Sequence, residues 1–254
     1  ALAIRSNTKV DKEILLVSSK LKVIGRAGIG VDNVNIDYAT SKGIIVMNTP
    51  HGNSITTAEH TIAMIMSLAR QIPDANISTK NGKWEKSKFV GTEITGKKLG
   101  LIGCGNIGSI VVDRAKGLKM SVQVYDPFLT DDKAKELGIE KVSFENLLGS
   151  SDIISIHTPL TDSTRNIINS DNIYSIKKGA WIINCARGGL IQEKALSDAI
   201  NTNHIYGAAI DVFEKEPAIS NILFETPNTI LTPHLGASTL EAQEKVANQI
   251  AEQI

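Results

Sequence analysis

Three features of the sequence predict an α/β fold built on a doubly wound parallel sheet. Short apolar runs alternate with helical segments along the 254 residues. The runs end in polar or glycine positions, as expected of strands that are buried on both faces. Aromatic residues make up only 4% of a chain that is 42% apolar, so Ile, Val, Leu and Ala must fill the core. These aliphatic residues are typical of buried parallel strands.

Residues 1–49 carry strands of their own, at 23–25 and 44–47, and are therefore predicted to form part of a second, smaller domain. The main alternating block begins near residue 98. Its strands are predicted at 98–103, 121–126, 152–157, 180–184, 207–211 and 229–231. Its helices are predicted at 107–118, 131–137 and 144–148.

Two further helices bracket this block, at 56–71 and 238–254. The first is opened by Ser54, Thr56 and Glu59, which are typical residues of a helix N-terminus. It is apolar around most of its circumference, so we expect it to be buried between domains or between subunits.

The composition argues against several classes of partner. Lys plus Arg and Asp plus Glu number 27 each, so the net charge is zero, whereas nucleic-acid-binding proteins normally carry a basic excess. The lysines at 80, 83, 86 and 88 are interrupted by Glu85, and we interpret them as a solvated loop. No apolar run approaches the roughly 18 residues of a membrane helix, and the first ten residues lack the layout of a signal peptide. We therefore expect neither a nucleic-acid nor a membrane partner.

Cys104 and Cys185 are the only cysteines, and each lies in a glycine-containing motif. This usage favours reduced thiols and a cytoplasmic location. No metal site is predicted.

Residues 103–108 read GCGNIG, a G-x-G-x-x-G pattern whose context makes it specific. A predicted strand ends at Gly103, a helix follows, and Asp126 stands 18 residues past Gly108 at the end of the next strand. In such a loop the first glycine makes the turn, the second (Gly105) admits a pyrophosphate, and the third allows the helix to pack on the strand. Asp126 would accept hydrogen bonds from the adenosine ribose and repel a 2′-phosphate. The pattern therefore predicts a Rossmann-type NAD site.

A second glycine pair, Gly28 and Gly30, also follows a strand, but Asn33 occupies the place of the third glycine. A second dinucleotide site is therefore disfavoured. We expect a turn that offers backbone N–H groups to a substrate carboxylate, with a purely structural turn as the alternative.

Hydride transfer from an alcohol needs a base for the hydroxyl proton and a cation for a neighbouring carboxylate. Arg187 follows one predicted strand and His234 another, and both lie where α/β sheets place their sites. A guanidinium binds a carboxylate with two hydrogen bonds, and histidine suits proton transfer at neutral pH. Glu216 is the candidate partner that would orient His234. Taken singly, each of the three is as compatible with a structural role.

The other histidines are weaker candidates. His60 is interpreted as a packing residue of the apolar helix, and His204 as part of a surface turn. His157 is expected to border the adenosine end of the cofactor site, and His51 remains unassigned.

The segments NCARGGLI, GAAIDVFEKEP and NTILTPHLGAST, with GCGNIG, resemble the D-isomer-specific 2-hydroxyacid dehydrogenases. IRSNTKV, VIGRAGIGVDNVN, GIIVMNTPHGNS and GKWEKSKFVGTE resemble the branch of that family that acts on a phosphorylated acid. The resemblance covers essentially the whole chain. It implies an NAD-binding domain at 50–238 and a partial, flavodoxin-like substrate-binding domain formed by 1–49 and 239–254.

The resemblance also implies site residues by position. Arg187, Glu216 and His234 match the catalytic trio, with His234 as the acid/base. The implied cofactor contacts are Ile29, Asn106, Ile107, Asp126, Thr158, Cys185, Ala186, Asp211, Leu235, Gly236 and Ala237, besides the glycine loop, Arg187 and His234. The implied substrate contacts are Arg5, Ser6, Arg26, Gly28 and Asn53, besides Arg187 and His234, with Arg5 a candidate for the phosphate.

Members of the family dimerise through their nucleotide domains and bind substrate in a cleft that closes by hinge motion. We therefore expect a homodimer that uses the helix at 56–71. The opening elements of the substrate domain and the regulatory domains of many members are absent from this sequence. The alternatives are another substrate of the same chemistry (hydroxypyruvate, glyoxylate or D-lactate) and a non-catalytic NAD-sensing protein; formate is less favoured.

Overall fold

The structure is a computed structural model that describes residues 1–254. Its contacts divide the chain into two compact units. Unit 1 comprises Ala1–Thr56 and Ala237–Ile254, and unit 2 comprises Thr57–Gly236. Each unit combines parallel strands with helices, which confirms the predicted fold class. None of the helices has both the length and the apolar composition that crossing a bilayer requires.

Unit 1 is built on a small parallel sheet with β2 in the centre. Its strands are β1 (Leu2–Ile4), β2 (Val23–Arg26) and β3 (Ile45–Asn48). Its helices are α1 (Lys12–Val17), α2 (Ile36–Ser41) and, at the C-terminus, α9 (Leu240–Gln253). Thr239 caps α9 by accepting a hydrogen bond from Ala242 N. The side chains of Ala242, Val246 and Ile250 recur every fourth residue and form the buried face of α9.

Unit 2 contains seven parallel strands in the order β10-β9-β8-β7-β4-β5-β6. They are β4 (Lys98–Ile102), β5 (Ser121–Tyr125), β6 (Glu140–Lys141), β7 (Ile153–Ile156), β8 (Trp181–Asn184), β9 (Gly207–Ile210) and β10 (Thr229–Leu231). The direction of winding reverses at β4, which lies between β5 and β7. This is the switch point at which doubly wound sheets bind their ligands, outside the carboxyl ends of the strands.

Most of the remaining helices contribute buried side chains to the two faces of this sheet. The remaining helices are α3 (Ser54–Arg70), α4 (Ile72–Lys80), α5 (Asn106–Gly117), α6 (Asp131–Leu137), α7 (Phe144–Ser150) and α8 (Glu193–Asn201). Neighbouring strand residues face opposite layers: Ile182 packs with the cluster that includes α7 and α8, whereas Ile183 packs with the cluster that includes α3 and α5. The strands are therefore buried on both faces, which explains their aliphatic composition.

The structure corrects two details of the predicted elements. The helix expected at 56–71 is α3, which ends at Arg70, because Gln71 adopts a left-handed conformation (φ 51°) and a separate helix α4 follows. Its buried side chains, among them Ile65 and Leu68, pack in the core of unit 2. The strand β1, the two-residue edge strand β6 and the helices α1, α2 and α8 were not predicted.

Candidate active site

The carboxyl ends of three adjacent strands are aligned in register at one edge of the unit 2 sheet. Asn184 of β8 pairs with Ile210 of β9, and Ile210 is aligned with Leu231 of β10. The segments that follow these strands carry Arg187, Asp211 and His234. Strand register thus brings together residues from three separate parts of the sequence.

His234 and Glu216 form a hydrogen-bonded pair. His234 Nδ1 lies 2.6 Å from Glu216 Oε2, and the other carboxylate oxygen accepts a hydrogen bond from Phe213 N at 3.0 Å. Burial raises the pKa of the Glu216 carboxyl, but the hydrogen bonds from His234 and Phe213 outweigh it, so the net pKa is lowered. Glu216 is therefore ionised at neutral pH and favours a protonated Nδ1, which leaves Nε2 as the ring nitrogen that can exchange a proton with a ligand.

Asp211 holds the loop that carries His234. Its side chain is fully buried, Oδ1 accepts hydrogen bonds from Leu235 N at 2.7 Å and Thr232 Oγ1 at 2.5 Å, and Oδ2 accepts from Gly236 N at 2.8 Å. Burial raises the pKa of Asp211, but these bonds and one from His60 lower it further than burial raises it. The resemblance implied cofactor contacts for Asp211, Leu235 and Gly236. The structure places this carboxylate and these two amides in contact with one another, so the two amides are already engaged within the loop.

His60 of α3 contacts the same cluster. Its Nε2 lies 3.3 Å from both Asp211 Oδ1 and Thr232 Oγ1. The expectation that His60 is a simple packing residue is therefore wrong, because its ring makes polar contacts with a buried carboxylate. No local sequence signal indicates this role, since the partners are more than 150 residues away in the chain.

The turn after β8 positions Arg187. Asn184 is buried and braces this turn, accepting a hydrogen bond from Ala186 N at 3.0 Å and donating one to Arg187 O at 2.9 Å. Arg187 Nη1 donates to Ala186 O at 2.7 Å. A guanidinium carries five N–H donors in a planar fork that matches a carboxylate. Sequence reasoning missed Asn184, although a polar residue ending an apolar strand is a usable signal.

The three glycines of the GCGNIG loop differ in what surrounds them. A Cβ on Gly103 would lie 2.8 Å from His157 O, and one on Gly108 would lie 2.6 Å from Gly103 O. Close packing therefore leaves no room for a side chain at either position. A Cβ on Gly105 would meet nothing within 4 Å. The first turn of α5, at Asn106 and Ile107, has no side-chain cap. Open space beside Gly105 and helix amides without a side-chain cap are what a pyrophosphate requires.

A second observation supports a ligand site at the glycine loop. Thr158 Oγ1, on the segment that packs against Gly103, is buried and has no hydrogen-bond partner. A buried hydroxyl without a partner is costly, and a ligand bound at the glycine loop would supply one. The neighbouring His157 is hydrogen-bonded to Ser155 Oγ at 2.9 Å, and burial lowers its pKa to about 4. His157 is thus a neutral structural residue beside the loop.

Asp126 ends β5 beside the glycine loop. Its Oδ2 accepts a hydrogen bond from Cys104 N and its Oδ1 accepts one from Phe128 N, both at 2.8 Å. Each carboxylate oxygen accepts two hydrogen bonds, so the group retains capacity for ribose hydroxyls. Asp126 both shapes the loop and presents the carboxylate that a 2′-hydroxyl requires.

The two thiols are unsuited to nucleophilic chemistry. Burial, assisted by the charge of Asp126, raises the pKa of Cys104 to about 11. Burial, assisted by Asp211, raises the pKa of Cys185 to about 12. Both remain protonated at neutral pH, when the reactive thiolate is scarce.

Apart from Arg187 and His234, which belong to unit 2, the predicted substrate residues lie in unit 1, as do two predicted cofactor contacts. They are Arg5, Ser6, Arg26, Gly28, Ile29, Asn53 and Ala237. One part of the prediction for the glycine turn needs correction, because the amide of Ala27 donates to Ile4 O and that of Gly28 to Thr49 Oγ1. These two amides are used to connect the turn to the sheet of unit 1 and are not available to a carboxylate.

The glycine loop, Asp126 and the His234–Glu216 pair are the features of a dinucleotide-binding α/β protein, and this combination is typical of the class of NAD-dependent dehydrogenases. The family model for the D-isomer specific 2-hydroxyacid dehydrogenase, NAD binding domain, matches residues 62–236, and the chain belongs to this family.

Full-chain comparisons agree with this assignment. The chain is 52% identical over 254 residues to D-3-phosphoglycerate dehydrogenase of Bacillus subtilis, covering 48% of that protein, and 50% identical to its namesake from Synechocystis, covering 46%. It thus spans about half the length of these curated relatives. D-lactate dehydrogenase of Aquifex aeolicus, solved with NAD and lactic acid, superposes with a TM-score of 0.88 at 30% identity, covering 99% of this chain and 80% of that one.

Proposed function

We propose that the protein catalyses the NAD-dependent oxidation of 3-phospho-D-glycerate to 3-phosphohydroxypyruvate, the first step of phosphorylated L-serine biosynthesis. The observation that carries the chemistry is the 2.6 Å contact between His234 and Glu216. The choice of substrate is supported by relatives at 52% and 50% identity that bear the name D-3-phosphoglycerate dehydrogenase.

The proposed reaction removes a proton and a hydride from the substrate. NAD, held by the glycine loop and Asp126, supplies the hydride acceptor. His234 accepts the C2 hydroxyl proton at Nε2, and Glu216 stabilises the resulting imidazolium through Nδ1. In the reverse direction the same imidazolium returns the proton to the C2 oxygen.

The resemblance implies that cationic and polar groups bind the substrate. Arg187 is proposed to hold the substrate carboxylate through its planar fork. Arg5 is proposed as the phosphate ligand, and Ser6, Arg26 and Asn53 as further substrate contacts; Gly28 is not proposed, because its amide and its carbonyl oxygen both bond to Thr49. An arginine suits phosphate because its geometry permits two parallel hydrogen bonds.

The test is the initial rate of NADH formation by the full-length protein with NAD and 3-phosphoglycerate, repeated with D-lactate and D-glycerate. Selective turnover of the phosphorylated acid that falls in Arg5→Ala supports the proposal. Turnover of unphosphorylated acids alone replaces it with another 2-hydroxyacid dehydrogenase. NAD binding without turnover of any acid indicates a sensing protein.

We further propose that the protein is a cytoplasmic homodimer. The two buried free thiols suit a reducing compartment. The segment after α3 exposes large apolar side chains, with Trp84 87% and Val90 75% exposed, and Ile72 and Ile77 at least half exposed. Exposed apolar residues are typical of a subunit interface. We therefore propose that the homodimer, which the resemblance assigns to the helix at 56–71, also uses this following segment, with a second copy of this chain as the partner.

A further inference from the structure

Glu216 lies in an exposed loop of irregular structure. The loop leaves the end of β9 and runs to a short 3₁₀ helix, Ile222–Glu225, with residues 214–217 all exposed. An irregular surface segment has little packing to hold it. The carboxylate that pairs with His234 therefore needs contacts from outside the loop to remain in place.

Glu193, the first residue of α8, connects both ends of this loop. Its Oε1 accepts a hydrogen bond from Glu214 N at 2.9 Å, and its Oε2 accepts one from Asn221 Nδ2 at 2.7 Å. Asn221 in turn accepts a hydrogen bond from Leu223 N at 2.9 Å. One carboxylate thus closes the segment that contains Glu216.

The chemistry of Glu193 suits this task. Both partners are N–H donors, and an ionised carboxylate is an acceptor at both oxygens. A glutamine of the same shape would present an N–H₂ group to one of the two donors. The match is therefore specific for a carboxylate, beyond the general preference for acidic residues in the first turn of a helix.

The loop also contacts the turn of Arg187. A Cβ on Gly188 would lie 1.8 Å from Phe213 O, so the two backbones are in direct contact at this point. The start of the segment that Glu193 closes therefore lies against the Arg187 turn, and Phe213 N itself donates to Glu216.

We propose that Glu193 is a positioning residue, which holds the Glu214–Asn221 segment so that Glu216 is aligned with His234. This inference rests on the proposed function. It assigns Glu193 no contact with the substrate or the cofactor.

The test swaps the carboxylate of Glu193 and the amide of Asn221 in the full-length protein. Glu193→Gln places an amide against a donor, and Asn221→Asp places two carboxylates face to face. Each is expected to lower kcat by about tenfold, while the KM for NAD changes by less than about twofold. In the double variant the amide introduced by Glu193→Gln donates to the carboxylate introduced by Asn221→Asp and still accepts from Glu214 N. The double variant is therefore expected to recover most of the lost kcat.

A double-mutant cycle between Glu193 and Glu216 distinguishes positioning of Glu216 from a general effect on stability. Glu193→Ala should lower kcat much less in a Glu216→Gln background than in the wild type, because the carboxylate that Glu193 positions is already lost. Glu145→Gln, which removes an exposed acidic residue from the first turn of α7, is the matched control and should leave kcat unchanged. The proposal is overturned if kcat does not recover in the double variant, or if Glu193→Ala lowers kcat equally in both backgrounds.

Hydrogen exchange of the segment 213–221 in the cofactor-free protein supplies a readout that needs no turnover. Exchange should be faster in Glu193→Gln and return toward wild type in the double variant. If the wild type turns over no 2-hydroxy acid, the proposed function fails, whereas unchanged exchange refutes the role of Glu193 by itself.

Discussion

His234 Nδ1 and Glu216 Oε2 lie 2.6 Å apart although the residues are 18 positions apart in the sequence. His234 itself adopts a left-handed conformation (φ 56°), an arrangement that few residues other than glycine tolerate. Its amide donates to Asp211 O at 2.8 Å. The backbone thus holds the ring in a defined place, as expected for a residue that exchanges protons with a substrate.

Removing either member of this pair should affect the chemical step. His234→Ala is expected to lower kcat by about 10²–10⁴-fold, the usual contribution of a general base. Glu216→Gln should lower it by about 10- to 100-fold, since a hydrogen bond to a charged group is lost. Initial rates of NADH formation measure both effects. NADH affinity of Glu216→Gln serves as the control, because Glu216 is not an expected cofactor contact, and a loss of both affinity and kcat in that variant would argue against a role in proton transfer.

Asp211→Asn should destabilise unit 2 by about 3 kcal/mol at neutral pH, because the new amide group opposes the N–H of Leu235 or Gly236. The folded pKa of Asp211 is lowered from its ordinary 3.8. The contribution of ionised Asp211 to the free energy of unfolding is therefore complete at pH values above its ordinary pKa. This contribution is lost as the pH falls through the lowered pKa of the folded state. The difference between wild type and variant, measured by urea unfolding, should shrink as the pH is lowered from neutral toward this range.

Asp171→Asn is the matched control for that measurement, because Asp171 is exposed. Its unfolding free energy should stay within about 0.5 kcal/mol of wild type. A pH-independent deficit in Asp211→Asn would mean that the carboxylate charge is not what stabilises the loop.

Substitutions at Gly105 and Gly108, the second and third glycines of the loop motif, should affect cofactor affinity and stability separately. Gly105→Ala enters open space and should leave unfolding unchanged, while weakening NADH binding by about tenfold or more through lost phosphate contacts. Gly108→Ala meets Gly103 O and should destabilise the fold by about 1–3 kcal/mol. NADH fluorescence titration and urea unfolding measure these effects. Equal stability losses in the two variants would contradict the assigned roles.

Trp84→Glu should convert the proposed dimer to a monomer, because a charged side chain would be buried at the centre of an apolar contact. Sedimentation equilibrium measures the mass. Phe128→Glu is the control, since Phe128 is 92% exposed but lies outside the segment 72–90. A dimer that survives Trp84→Glu and dissociates in the control would place the interface elsewhere.

Local patterns were sufficient to predict much of the fold and of the site. The helix 131–137 and the strand 229–231 were predicted with the observed bounds, and other predicted strands of unit 2 differ by one residue at an end or both. The glycine loop was recognisable because its function depends on residues close together in sequence. Arg187, Glu216 and His234 were chosen because they follow, or lie near, the ends of apolar runs.

Other features depend on distances that no local pattern contains. The separate helix α4 was missed, although Pro73 in its first turn is a local signal of a helix start. The edge strand β6 has only two residues, too few for a periodic signal. His60 appeared to be a packing residue because its polar partners, Asp211 and Thr232, lie far along the chain.

The sequence alone determined the doubly wound fold, the place of the dinucleotide and the identity of the candidate catalytic groups, because periodicity and short motifs encode these locally. The tertiary structure decided which residues hold those groups: Asp211 for the His234 loop, Glu193 for the Glu216 loop and Asn184 for the Arg187 turn. Two of these three are acidic residues that resemble ordinary surface or cofactor-binding groups when read in isolation. Their roles arise only when the fold brings N–H donors that are distant in the sequence within hydrogen-bonding distance of each carboxylate.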